Sequence, residues 1–263
     1  MRARLIALTL LCAALHSSLA AADGFAALVS PPRFELKAKA NTTVRQVIEI
    51  TNRAPAPAKL RVHTADFSLT KDYGVTFRDD LAPGSCRPWV ALERPAIVLS
   101  GGGTIRYRFE VQVPADAPAG ECRFGILIEG EEPAMAQAGA LRVPVAGRIG
   151  VIVYVVIGGG APRLEIFGPD VVTLNGARVP ALRVHNAGDA HGRTSGFLSG
   201  TDAKGVKYDF TPSDFPILPG DVREVFLTPS TSDNDHPTLT FPVTVRGTLE
   251  WGDQKTDVNE RFE

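Results

Sequence analysis

Thr104–Val113 reads TIRYRFEVQV, and its side chains alternate without a break. Ile105, Tyr107, Phe109, Val111 and Val113 point one way. Arg106, Arg108, Glu110 and Gln112 point the other. A strand turns successive side chains to opposite faces, so this period of two describes a half-buried antiparallel strand. Thr43–Thr51 (TVRQVIEIT) carries a weaker form of the same pattern. Val44, Ile48 and Ile50 share a face that Gln46 interrupts, against Arg45, Val47 and Glu49. Cys122–Glu129 (CRFGILIE) and Leu141–Val145 (LRVPV) extend the series, and Gly130–Gly139 between them reads as an exposed loop broken by Pro133. Long amphipathic helices are absent. The 25 glycines and 20 prolines fall mostly between strand candidates, as the turns of an all-β fold require.

Ile149–Ile157 is apolar on both faces, which predicts a central strand or one passing from one core toward the next. Gly158-Gly159-Gly160-Ala161-Pro162 follows it. Three glycines loosen the backbone and the proline ends any strand, so this segment reads as a hinge. Beyond it the first half is repeated in outline. Leu182–Asn186 (LRVHN) parallels Ile48–Asn52 (IEITN), each a strand that ends at an asparagine. Thr201–Tyr208 reads as a hairpin turning at Gly205, Ile217–Gly220 leads into a strand Val222–Leu227, and Leu239–Val245 with Thr248–Trp251 finish the chain. The expectation is all-β: two consecutive immunoglobulin-like β-sandwich domains, 23–157 and 163–263, joined at 158–162.

Residues 1–22 have the layout of a signal peptide: Arg2 and Arg4, an apolar run from Leu5 to Leu15, then small residues through Ala22. Cys12 lies in that run and leaves with it. The mature chain of about 240 residues is long enough for two cores. It keeps 26 basic against 29 acidic residues, a net charge of −3, with no Lys/Arg cluster. Nucleic acid and anionic membrane are therefore poor partners. No second apolar stretch is long enough to span a bilayer. Cys86 and Cys122 remain, and an oxidising compartment favours their pairing, with two buried thiols as the alternative.

No catalytic constellation is present. Gly192-Arg193-Thr194-Ser195-Gly196 places its serine one position late for a nucleophile elbow. No two of His63, His185, His191 and His236 stand at H-x-x-x-H spacing. Asp233-Asn234-Asp235-His236 lacks the closing glutamate of a calcium loop. Neither a metal nor another cofactor is expected, nor an enzymatic activity.

Particular motifs carry a resemblance. Ser30–Leu36 (SPPRFEL), a strand ending at Thr51-Asn52, Trp89-Val90, Pro95, and Thr104–Val113 running into Val113–Gly120 (VPADAPAG) resemble the first domain of periplasmic pilus-assembly chaperones, the PapD-like proteins. Asn186–His191 (NAGDAH), Asp202–Gly205 (DAKG) and Leu218-Pro219-Gly220 resemble the second domain of divergent members. Gly147–Val155 (GRIGVIVYV) also resembles the closing strand of WxL-associated cell-surface proteins, which would make the chain a structural or adhesive envelope protein.

The PapD-like resemblance implies a periplasmic or secreted location, a fimbrial-type subunit as protein partner, and an outer-membrane usher as a further one. It also implies a mechanism in which the chaperone lends a strand to a subunit lacking one. It places that strand at Leu141, Val143 and Val145. A pair of basic residues would hold the subunit's terminal carboxylate. The first maps to Arg33 and the second to Gly150, for which Arg148 is the nearby substitute. In place of the tyrosine expected after Gly120 stands Glu121-Cys122, and a Cys86–Cys122 bridge would do the pinning of a tyrosine corner.

Overall fold

The computed structural model describes residues 26–263 apart from 132, 139–140 and 233–236, and for 134–138, 142 and 145 it describes the backbone only. The signal-peptide residues 1–22 and the stretch Asp233–His236 lie outside the described residues. In chain order the strands are β1 (Ala27–Ser30), β2 (Arg33–Ala38), β3 (Thr42–Asn52), β4 (Ala58–Leu69), β5 (Val75–Arg78), β6 (Val90–Leu92), β7 (Ala96–Leu99), β8 (Thr104–Val113), β9 (Gly120–Gly130), β10 (Ala134–Ala138), β11 (Leu141–Val145) and β12 (Arg148–Ile157). Beyond residues 158–162 come β13 (Leu164–Leu174), β14 (Ala177–Asn186), β15 (Ser195–Thr201), β16 (Lys207–Pro212), β17 (Val222–Ser230), β18 (Val243–Trp251) and β19 (Gln254–Phe262). A 3₁₀ turn, Arg87–Trp89, is the one helical element among the described residues.

The first sandwich faces a four-stranded sheet, β1-β3-β8-β6, against a larger one, β2-β12-β9-β4-β5, with β7 pairing to β4 as well. The alternating residues behave as their period requires. Ile48, Ile50, Tyr107, Phe109 and Val111 from one sheet meet Phe124, Ile126, Ile128, Val151, Val153 and Val155 from the other. Burying each such aliphatic side chain contributes about 1.5–3 kcal/mol, so these two inner faces supply the main favourable term. β12 is interior, parallel to β2 on one side and antiparallel to β9 on the other, as its two apolar faces predict. The second sandwich follows the order β13-β14-β17-β16-β15-β18-β19. Its first and last strands lie against each other, and the enclosed core holds Leu182, Val184, Phe210, Leu227, Val245, Trp251 and Phe262. The architecture is two immunoglobulin-like β-sandwiches in succession. No strand of 27–157 pairs with one of 164–262 among the described residues. Gly158 and Gly159 take positive φ, +66° and +85°, where the chain leaves β12.

The internal repeat has a physical content. Asn52 and Asn186 are both buried, and each pins the turn after its strand in the same way. The Oδ1 of Asn52 accepts the Ala54 N–H and its Nδ2 donates to the Ala56 carbonyl. The Oδ1 of Asn186 accepts the Gly188 N–H and its Nδ2 donates to the Ala190 carbonyl. The side chain mimics a strand partner where the backbone turns away.

Three expectations are corrected. The Gly130–Gly139 segment is not all loop, because Ala134–Ala138 forms β10 on β11. Its sequence AMAQA carries no β-branched or aromatic residue to mark a strand, and its partner strand rather than its own pattern fixes it. The strand expected at Leu182–Asn186 begins at Ala177. The end of the chain is not two short strands over 239–251 but one, β18, and then β19, whose sequence QKTDVNERF keeps few apolar residues, with Val258 and Phe262 buried. Cys86 and Cys122 are bonded, with Cα atoms 6.0 Å apart.

Candidate partner-binding edge

β11 lies outside both sheets of the first sandwich and pairs on one side only, with β10. The two form an arm that prolongs the β9–β12 hairpin. Leu141 is 70% exposed and Val143 38% exposed, so neither belongs to this domain's core. Val145 continues the strand, its backbone opposite Ala134. The open edge does not stop at the arm. β2 begins to pair with β12 only at Arg33↔Ile152, which leaves residues 148–151 unpaired on that side. Exposed apolar edges are normally blunted because they template pairing with another chain.

The outward face of the larger sheet runs from the root of this arm toward the second sandwich. At the root, Arg61 and Arg148 converge on Glu129, at 2.5 Å each. Next along the face, the Phe77 ring lies over Gly125 and Gly150, where any Cβ would collide with it. Beyond that, Phe67 and Tyr154 pack with Leu218 of the second sandwich. Tyr154 is also stacked on the His191 ring, with centroids 3.9 Å apart. Burial pushes the Tyr154 hydroxyl up to about 12 despite the opposing charge of Arg193. The carboxylate of Glu121 accepts from the His191 backbone N–H at 2.8 Å and meets its Nδ1 at 2.5 Å. A second clamp stands at the β4–β5 turn. The Tyr73 hydroxyl donates to the Glu224 carbonyl at 2.7 Å, its ring packs on Phe215 and Phe226, and Arg223 donates to the Thr70 carbonyl at 2.7 Å.

Solved structures of fimbrial chaperones are similar to this chain. The class 5 fimbriae chaperone CfaA is 10% identical, with 89% of this chain and 98% of that one covered at a TM-score of 0.48. The E. coli chaperone DraB is 14% identical, with 90% and 97% covered and a TM-score of 0.47. A structure of the Salmonella enterica SafA pilin in complex with the SafB chaperone is 13% identical, with 89% and 96% covered and a TM-score of 0.43. No family model matches the chain, and no curated protein matches it significantly.

The structure does not bring Arg33 and Arg148 together. Arg33 lies opposite Ile152, four residues along β12 from Arg148, which is about 13 Å of strand. Each is engaged within the chain, Arg33 with Glu35 at 2.9 Å and Arg148 with Glu129. A joint carboxylate clamp from these two is therefore not assembled. The physical reason is the register of β2 on β12, which starts at Arg33↔Ile152, and the Phe77 ring sits over Gly150 on the intervening stretch of β12. Gly150→Lys should therefore lower stability by about 1–3 kcal/mol through overpacking against Phe77. Thermal unfolding of the variant checks this; an unchanged transition would show that the ring moves aside freely.

His185 sits 3.5 Å from Glu165, apart from the Glu121 contact of His191, and no cluster of ligating side chains fit for a metal ion occurs among the described residues. Sequence reasoning missed Phe77 and the His191–Glu121 contact. Phe77 lies in a four-residue strand, Val75–Arg78, too short to mark itself by pattern, and a His–Glu contact 70 residues apart leaves no mark on local pattern.

Proposed function

We propose that this chain is an exported, non-enzymatic chaperone-like protein that lends β11 to a subunit of a surface fibre. The observation that carries the reading is a strand paired on one side only, with Leu141 and Val143 exposed beside that open edge. In strand addition, main-chain hydrogen bonds provide affinity and alternate side chains fill the partner's groove. Leu141, Val143 and Val145 share a face by their period of two and are the residues suited to that groove. The resemblance of Ser30–Leu36 and Val113–Gly120 to pilus chaperones supplies the partner class, a fimbrial-type subunit lacking a strand, with an outer-membrane usher receiving the complex in the envelope. Capture of a terminal carboxylate by Arg33 and Arg148 together is not part of this reading.

A photo-crosslinking side chain at position 141, in the exported protein in its own cells, tests it. One exported β-rich protein should be trapped there, and none from position 98, where Val98 is equally exposed on β7. Equal trapping from both positions, or none from 141, would remove the proposal and leave the reading as an adhesive envelope protein.

A further inference from the structure

β10 and β11 pair in the register Ala134↔Val145, Met135↔Pro144, Ala136↔Val143, Gln137↔Arg142 and Ala138↔Leu141. In an antiparallel ladder, pairs that exchange two N–H···O=C bonds alternate with pairs that exchange none. Proline has no N–H, so Pro144 fits within this ladder only at a non-exchanging position, with its nitrogen turned toward the open edge. The rest of the hairpin agrees. The Gly147 carbonyl accepts from Gly130, on the β9 side, and the Ile152 N–H donates the other way, to Pro32. Odd-numbered residues thus address β9 and β10, and even-numbered ones address the open side. By this parity the open edge offers N–H groups at Arg142, Ala146, Arg148 and Gly150, and none at 144, in the arm itself.

We infer that Pro144 sets what this edge can pair with. A second copy of the arm laid along β11 would leave a carbonyl without a donor at the centre of the contact, and by symmetry would do so twice. A buried carbonyl deprived of its donor is a larger loss than the bond itself is a gain. The edge is closed in this way to unbroken pairing with its own kind. It is left to a strand that is bulged or turned away opposite residue 144, and that draws its affinity from the groove receiving Leu141 and Val143. Only the identity of that partner rests on the proposed function. The exclusion of a second copy rests on the backbone.

The test uses the whole mature chain and its self-association, measured by sedimentation equilibrium over a wide concentration range. Pro144→Thr restores an N–H and suits a strand. It should self-associate at least about thirtyfold more tightly than the parent, roughly two recovered hydrogen bonds, one from each copy. Adding Val143→Glu should abolish the gain, which places it at the arm. Adding Arg142→Pro, which moves the missing donor to the other outward position, should also abolish it. Pro144→Ser, a weaker strand former that also carries the N–H, should behave as Pro144→Thr does. Threonine and serine variants that associate no more than the parent would overturn the inference, as would a gain that survives Arg142→Pro. Neither result bears on crosslinking at position 141, so the partner reading and this one can fail separately.

Discussion

The Val143→Glu chain should unfold at the same temperature as its parent and lose its protein partner. Val143 is absent from the buried core and stands on a strand outside both sheets, so a charge there stays solvated in the free protein. Surface substitutions of this kind change stability by about 0.5 kcal/mol or less. In a complex the same carboxylate would be driven into an apolar groove with nothing to pair it. Burying it there costs several kcal/mol, which corresponds to an affinity loss of roughly a thousandfold. Val98→Glu, on exposed β7, should change neither property. Calorimetry and a binding assay on the partner trapped at position 141 read the two halves of this prediction. A chain that melts would put Val143 in a core, and a chain that binds unchanged would remove β11 from the mechanism.

Replacing both Cys86 and Cys122 by alanine should have the largest effect on stability. The bond closes a loop that includes β6, β7 and β8 and anchors it to β9, an interior strand of the larger sheet. In the chain-entropy account a loop of this length contributes about 3–4 kcal/mol, by restricting the unfolded chain. For a sandwich of this size that is a fall in Tm of roughly 10 °C. The same loop is held without the bond at its start. Arg87, next to Cys86, donates to the Thr64 and Asp79 carbonyls, and it pairs with Asp66. Burial raises the Asp66 carboxyl, but hydrogen bonds from Ala82, Ser85 and Arg87 outweigh it and hold the group below the ordinary range. The reduced protein should therefore still fold, with a lower transition in its first sandwich. Scanning calorimetry with and without reductant, and on the double variant, measures this. Transitions that coincide would show that the bridge contributes nothing.

Which strands exist, and which face of each is apolar, was legible wherever the side chains alternate or are apolar throughout. Thr104–Val113 and Ile149–Ile157 behave as read because the pleat converts sequence parity into direction, and two apolar faces require neighbours on both sides. The repeat of Asn52 at Asn186 was legible from a local pattern, and the pairing of Cys86 with Cys122 from the export signal and the cysteine count. Elements stabilised mainly by a partner were not. β10 (AMAQA) has no β-branched or aromatic residue and is held by β11, and β19 is a mostly polar strand that closes a sheet whose core is built by others. Parity states that Leu141 and Val143 share a face, but not whether anything covers it. That depended on where β10 and β11 leave the sheet, which tertiary structure alone decided. The same holds for Arg33 and Arg148. The resemblance supplied that pair, and it is the register of β2 on β12, with Arg33 opposite Ile152, that keeps the two apart. Sequence carries direction and period, which are properties of a single strand. Exposure and convergence are properties of what packs against it, and the packing partners here come from the far side of the chain.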